Sequence, residues 1–142
     1  MKSIRFQYIG GKVLKPISPS LLQTDGSFYP FTRTGKAAVL LSHNSKVYTK
    51  LVTLQKPEDS YETEWASVFS GLLFALKHNV SFINIENDNE GVVKNIISGK
   101  MKGEKPYVTE YREAILALAK QTQWTGIRWI PRKQNRADDL FR

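Results

Sequence analysis

Leu21-Leu22-Gln23-Thr24-Asp25-Gly26-Ser27-Phe28 is the run on which the reading of this chain turns. It has the composition of a short apolar strand with one carboxylate near its centre. A carboxylate taken out of water is costly unless a cation or a set of hydrogen-bond donors faces it. A metal ion would serve, and Gly26, lacking a side chain, would let a ligand come close to the backbone. Asp-Gly is also an ordinary turn signal, so the run alone does not decide. The positions of the other acids do.

The chain has 142 residues, a length expected of one domain with a real core. Its hydrophobic content of 41% and charged content of 24% are those of a globular protein. No apolar run reaches the ~20 residues needed to span a membrane, and no signal-peptide core follows Met1-Lys2-Ser3-Ile4-Arg5. There is no cysteine, which excludes disulfides, thiolate metal sites and thiol nucleophiles. A cytoplasmic protein is the expectation, with no membrane association and a monomeric state. The net charge of +8 suits a polyanionic partner, nucleic acid first.

Residues 1–20 read as an N-terminal extension. Ile4, Phe6, Tyr8 and Ile9, then Gly10-Gly11, then Val13 and Leu14, suggest a small hairpin or a strand and its return. Pro16 and Pro19 would end it as a hinge, and the extension could cover a sheet edge. Residues 21–142 form the main domain. Strands are expected at 21–28, 37–42 and 47–54, antiparallel because their connections are short. A helix follows to about His78, with Ser60 or Thr63 as N-cap and Trp65, Val68, Phe69, Leu72, Leu73 and Leu76 as its apolar stripe. A fourth strand at 80–86 should lie parallel to the first, because a helix connects them. Asp88 is the expected cap of the next helix, which ends at Gly99. A lysine-rich loop at 98–106 (Lys100, Lys102, Lys105) precedes a helix at 108–121 and a closing strand at 126–130. The expected fold is α/β, a five-stranded mixed sheet of three antiparallel strands and two parallel additions, flanked by helices.

Four acids punctuate this order. Asp25 lies inside the first strand, Glu64 in the first helical turn, Asp88 at the end of the fourth strand, and Asp138 at the start of a last helix. If the first and fourth strands are parallel neighbours, Asp25 and Asp88 stand side by side, and both helix starts can reach that end of the sheet. Four carboxylates meeting there would repel unless divalent cations neutralised them. Oxygen ligands alone favour Mg²⁺ or Mn²⁺ over Zn²⁺, and a pair of such ions serves in-line phosphoryl transfer.

Four segments resemble a known family. Thr24-Asp25-Gly26-Ser27 is similar to the Thr-Asp-Gly-Ser strand of type 1 ribonucleases H. Glu64-Trp65-Ala66-Ser67-Val68-Phe69-Ser70-Gly71-Leu72 resembles their Glu-aromatic-x-Ala-Leu-x-x-Gly-Leu helix. Ile83 to Val93 resembles their strand, Asp-Ser and Val-Val helix. Trp129-Ile130-Pro131-Arg132, Asn135 and Ala137-Asp138-Asp139-Leu140 resemble the closing segment. The Gly-Leu spacing selects Glu64 over Glu62, and the Ala-Asp-x-Leu pattern selects Asp138 over Asp139.

The resemblance implies a ribonuclease H-like fold and hydrolysis of the RNA strand of RNA/DNA hybrids, leaving 5′-phosphate and 3′-hydroxyl ends. It implies two Mg²⁺ ions, with Mn²⁺ as a substitute, held by Asp25, Glu64, Asp88 and Asp138 as catalytic residues. Asp25 would bridge both ions, Asp138 would serve the one that activates water, and Glu64 and Asp88 the one on the leaving 3′ oxygen. Gly26, Ser27, Ser60, Asn89, Arg132, Lys133 and Asn135 are the candidate substrate contacts, with Lys100, Lys102, Lys105 and Asp139 as further candidates. Two departures stand out. Asp59-Ser60-Tyr61 occupies the place of a Thr-Asn-Asn phosphate pocket, and neither histidine, His43 nor His78, lies before the last acid. The alternatives are a non-catalytic nucleic-acid-binding module and another nuclease on the same fold.

Overall fold

β2 (Ser20–Tyr29) is where the two halves of the sheet meet. On one side it pairs antiparallel with β3 (Thr34–His43), which pairs antiparallel with β4 (Lys46–Gln55). On the other side it pairs parallel with β5 (Phe82–Asn87), which pairs parallel with β6 (Trp124–Trp129). The computed structural model describes residues 5–13, 18–99 and 102–142. Among these residues three helices complete the order: α1 (Ser60–Lys77), α2 (Glu90–Ser98) and α3 (Pro106–Lys120). None is long and apolar enough to cross a membrane.

Among the described residues the sheet has six strands rather than five. The extra one, β1 (Gln7–Gly10), lies antiparallel to β6 in the order β1-β6-β5-β2-β3-β4. Gly10-Gly11 therefore does not turn a hairpin. The chain runs on beside β6, with the N–H groups of Lys12 and Val13 donating to Thr122 O and Gln123 O. The pairing covers the edge that β6 would otherwise expose. A Cβ on Gly10 would lie 2.7 Å from Ala119 Cβ, so only glycine lets β1 pack this close to α3. Leu14 and the proposed hinge at Pro16 lie outside the described residues.

α1 lies against β2 because its apolar stripe matches that strand. Trp65, Val68, Leu72 and Ala75 are all fully buried in one cluster with Leu22, Ile83, Ile85, Ile115 and Ile127. Gly71 lets the helix close on Thr24, whose methyl stands 2.5 Å from where a Cβ would be. The N-cap is Asp59, not Ser60 or Thr63. Its Oδ1 accepts from the N–H of Glu62, while Thr63 Oγ1 donates back to Ser60 O. Likewise α2 is capped by Asn89, one residue later than expected, through an N–H···O bond from Val92. That shift releases the carboxylate of Asp88 from capping. After β6 no regular α-helix forms. Two 3₁₀ segments, Arg132–Gln134 and Arg136–Phe141, run under the opposite face of the sheet, where Ala137, Leu140 and Phe141 pack on Ala38 and Leu40.

α3 begins two residues early because Pro106 can occupy its first turn. Its buried face includes a charge that the apolar pattern did not reveal. Arg112 reaches both oxygens of Glu104, at 2.9 and 2.7 Å, and Asn95 Oδ1 at 2.6 Å. Both charged side chains are only 6% exposed. The network ties the loop before α3 to α2. Arg112→Leu is expected to cost about 3 kcal/mol or more, because Glu104 is left charged and enclosed. Urea unfolding measures this, and adding Glu104→Leu should recover most of the loss; a double variant as unstable as the single would contradict the pairing.

Candidate active site

Three elements deliver the acids to one place. β2 carries Asp25, which is 5% exposed. The first turns of α1 carry Glu64, and the residue after β5 is Asp88. One oxygen from each carboxylate lies within 4.8 Å of the other two. They floor a recess of about 160 Å³ that Asp138, Arg132 and Phe141 complete. A larger depression, about 760 Å³, opens at the other end of the sheet between Pro19 and Val47, but it has no carboxylate in its lining.

The trio is held by donors from the chain itself. The N–H of Gly26 donates to Asp25 Oδ1 at 3.0 Å and to Glu64 Oε1 at 3.1 Å. Asn135, 3% exposed, donates to Thr24 O at 2.8 Å and to Asp88 Oδ2 at 3.3 Å, and its Oδ1 accepts from the N–H of Ala137. It thus fixes Asp88 and the start of the segment bearing Asp138 together. Asn87, fully buried, donates to Thr24 O and Oγ1 and accepts from the N–H of Asn89. Its position was missed in the sequence, although an amide ending an apolar parallel strand is itself a signal.

Gly26 also has a structural use. A Cβ there would sit 2.4 Å from Thr63 C and 2.7 Å from Glu64 N. The close approach is made by the backbone of α1, which brings Glu64 onto Asp25.

Burial and mutual repulsion raise the acids. Burial first, then the charges of Glu64, Asp88 and Asp138, push Asp25 from 3.8 up to about 9. Burial and Asp88 push Glu64 up to about 7, against the opposing N–H of Gly26. Burial also raises Asp88, against Asn135 and the nearby Arg132. A crowded, oxygen-only donor set with this much unrelieved repulsion fits a hard divalent cation.

The remaining candidates divide. Asp138 stands at the rim, its Oδ2 2.9 Å from Arg142 Nη2 and its Oδ1 3.7 Å from Arg132. Asp139 points outward, 74% exposed, to Arg142. Arg132 and Lys133 are exposed beside the recess, Ser27 is half-buried in its wall, and Ser60 is exposed at the start of α1. Asn89 is taken up as a cap. Asn135 turns inward rather than toward a ligand. Lys105 is bound to Asp59 at 2.7 Å and Glu58 at 3.5 Å, and Tyr107 also donates to Asp59. Burial works to raise Asp59, but Lys105, Tyr107 and the N–H of Glu62 prevail and hold it below its usual value. Asp59 is thus an internal anion for these donors. Lys102 lies exposed on a neighbouring depression, and Lys100 lies outside the described residues.

Comparison with known proteins agrees with this architecture. The N-terminal RNase H domain of rv2228c from Mycobacterium tuberculosis, solved as a fusion with maltose binding protein, is similar at 20% identity and a TM-score of 0.73, over 82% of this chain and 85% of that one. RNase H1 from the halophilic archaeon Halobacterium salinarum NRC-1 is similar at 19% identity and a TM-score of 0.70, over 87% and 94%. No curated protein matches in sequence. Residues 23–141 match the family described as reverse transcriptase-like. With that match spanning every one of the four acids, the chain belongs to the reverse transcriptase-like family, and its fold is ribonuclease H-like.

Proposed function

We propose that this chain is a metal-dependent endoribonuclease that hydrolyses the RNA strand of RNA/DNA hybrids, leaving 5′-phosphate and 3′-hydroxyl ends. One observation carries the reading: carboxylates from β2, α1 and the residue after β5 converge within 4.8 Å at the floor of an open recess in a basic chain. Asp25, Glu64, Asp88 and Asp138 would hold two Mg²⁺ ions, with Mn²⁺ as a substitute. When bound, such ions activate water and stabilise the charge of an in-line displacement. The chain's own residues prepare the place. The N–H of Gly26 orients Asp25 and Glu64 toward each other, and the Asn135 amide orients Asp88. Arg132 and Lys133, exposed at the rim, would bind the phosphate backbone, and Ser27 and Ser60 would add hydroxyl contacts. Recognition by backbone and 2′-hydroxyls implies shape selection rather than base reading, with affinity that falls as salt rises.

The test is incubation with labelled RNA/DNA, RNA/RNA and single-stranded RNA in Mg²⁺ or Mn²⁺. Cleavage confined to the hybrid, and stopped by EDTA, is the expected result. Full cleavage in EDTA would overturn the metal assignment. A second reading, a non-catalytic binding module, draws on the pairing of Asp138 with Arg142 and of Lys105 with Asp59. Tight hybrid binding without cutting under either ion would favour it.

A further inference from the structure

β2 runs five residues past the last one that pairs with β5. Ser20 to Thr24 face β5, whereas Asp25 to Tyr29 pair only with β3. Strands β2, β3 and β4 therefore project beyond the recess as a ledge. Its tip is the β2–β3 turn, Pro30-Phe31-Thr32-Arg33, about 15–20 Å from Asp25 at the rise of an extended chain. Phe31 is 103% exposed, the exposure of a free side chain, whereas Tyr8 at 46% is the next most exposed aromatic among the described residues. A single bare ring is ordinary on a protein surface, so its setting must say whether it has a partner.

Two further observations say which partner. Residues 26–57 contain no Asp or Glu, but carry Arg33, Lys36, Lys46, Lys50 and Lys56. Arg33, Lys36 and Lys56 lie exposed at the tip end, Lys36 opposite Ser27 and Lys56 next to Gln55, which pairs with Thr34. The ledge is thus positive along its length and complements a polyanion. Within the turn, Thr32 Oγ1 lies 2.7 Å from Thr34 Oγ1 and 3.4 Å from Tyr29 O, contacts that brace the tip beside Phe31.

We propose that Phe31 is a nucleic-acid contact. It seats in the groove of the duplex that lies across the recess, about five base pairs from the cut, with Arg33 and Lys36 on the flanking phosphates. The inference rests on the hybrid-nuclease reading and extends its footprint along the duplex.

The test uses the full chain and DNA duplexes with a short central RNA segment, which fixes the position of the cut. One duplex extends about ten base pairs on each side, and the other about three, too short to reach the tip. Phe31→Ala is expected to raise KM on the long duplex roughly tenfold or more, with kcat within about twofold, and to leave the short duplex unchanged. Phe31→Trp should restore the long-duplex KM. An unchanged melting temperature confirms that the variant folds. A wild-type KM for Phe31→Ala on the long duplex, or an equal loss on both lengths, overturns the proposal while leaving the nuclease reading intact. If the wild-type chain cuts neither duplex, the nuclease reading fails and the proposal fails with it.

Discussion

Asp25→Asn is expected to abolish cleavage and, in the metal-free protein, to raise the melting temperature. The two effects have one cause. Asp25 is buried against Glu64, Asp88 and Asp138, and its folded value lies near 9 against 3.8 for the free group. Between those values the folded state holds a proton that the unfolded chain has released. Stability of the metal-free protein therefore falls as pH rises through about 4–9. Glu64, raised from 4.5 to about 7, adds a loss of the same sign up to neutrality. An amide at position 25 keeps the volume and needs no proton taken up on folding. At pH 8 in EDTA it should stabilise the chain by about 1–2 kcal/mol, or roughly 3–6 °C. A divalent cation reverses the comparison. It binds the ionised carboxylates, so Mg²⁺ should raise the melting temperature of the wild-type chain more at pH 8 than at pH 6, and that of Asp25→Asn hardly at all. Cleavage should drop by more than about a thousandfold, since the proposed central metal ligand is lost. Calorimetry with and without Mg²⁺, beside a cleavage assay, reads all of these. An Asp25→Asn protein that melts lower than wild type in EDTA would show that the carboxylate is stabilised by its surroundings rather than strained by them.

Gly26→Ala is expected to damage stability and turnover together. The added methyl carbon would stand 2.4 Å from Thr63 C and 2.5 Å from Thr63 O. These are backbone atoms of α1 and cannot rotate away. The first turn of the helix must retreat, taking Glu64 with it and breaking its bond to the Gly26 N–H at 3.1 Å. Overpacking of a core commonly costs about 1–3 kcal/mol, and a clash with helix backbone belongs at or above the upper end. Turnover should fall at least a hundredfold through misplacement of Glu64, with little change in KM. Gly71→Ala is the comparison, because there the atom met is a side-chain methyl of Thr24 and not backbone. Near-wild-type kcat in Gly26→Ala would show that Glu64 is not set by this contact.

Much of the framework was legible in the residues. The apolar stripe from Trp65 to Leu76 and the strand-helix-strand spacing implied that β2 and β5 are parallel neighbours, and they are. That alone placed Asp25 and Asp88 side by side. Caps were less legible. Asp59 caps α1 in place of Ser60 while partners distant in sequence, Lys105 and Tyr107, hold its carboxylate, and Asn89 caps α2 in place of Asp88 through the local N–H of Val92. The pairing of Glu104 with Arg112 was hidden in a helix pattern that looked merely apolar on its inner face.

The sequence by itself determined the order of the elements and the element on which each of Asp25, Glu64, Asp88 and Asp138 rides, because periodicity and turn chemistry are local properties. Only the tertiary structure decided that β1 closes the β6 edge, that Asn135 turns inward, and that Gly26 is the seat of α1. Those outcomes depend on which distant surfaces meet, and so does the burial that raises Asp25 and Glu64.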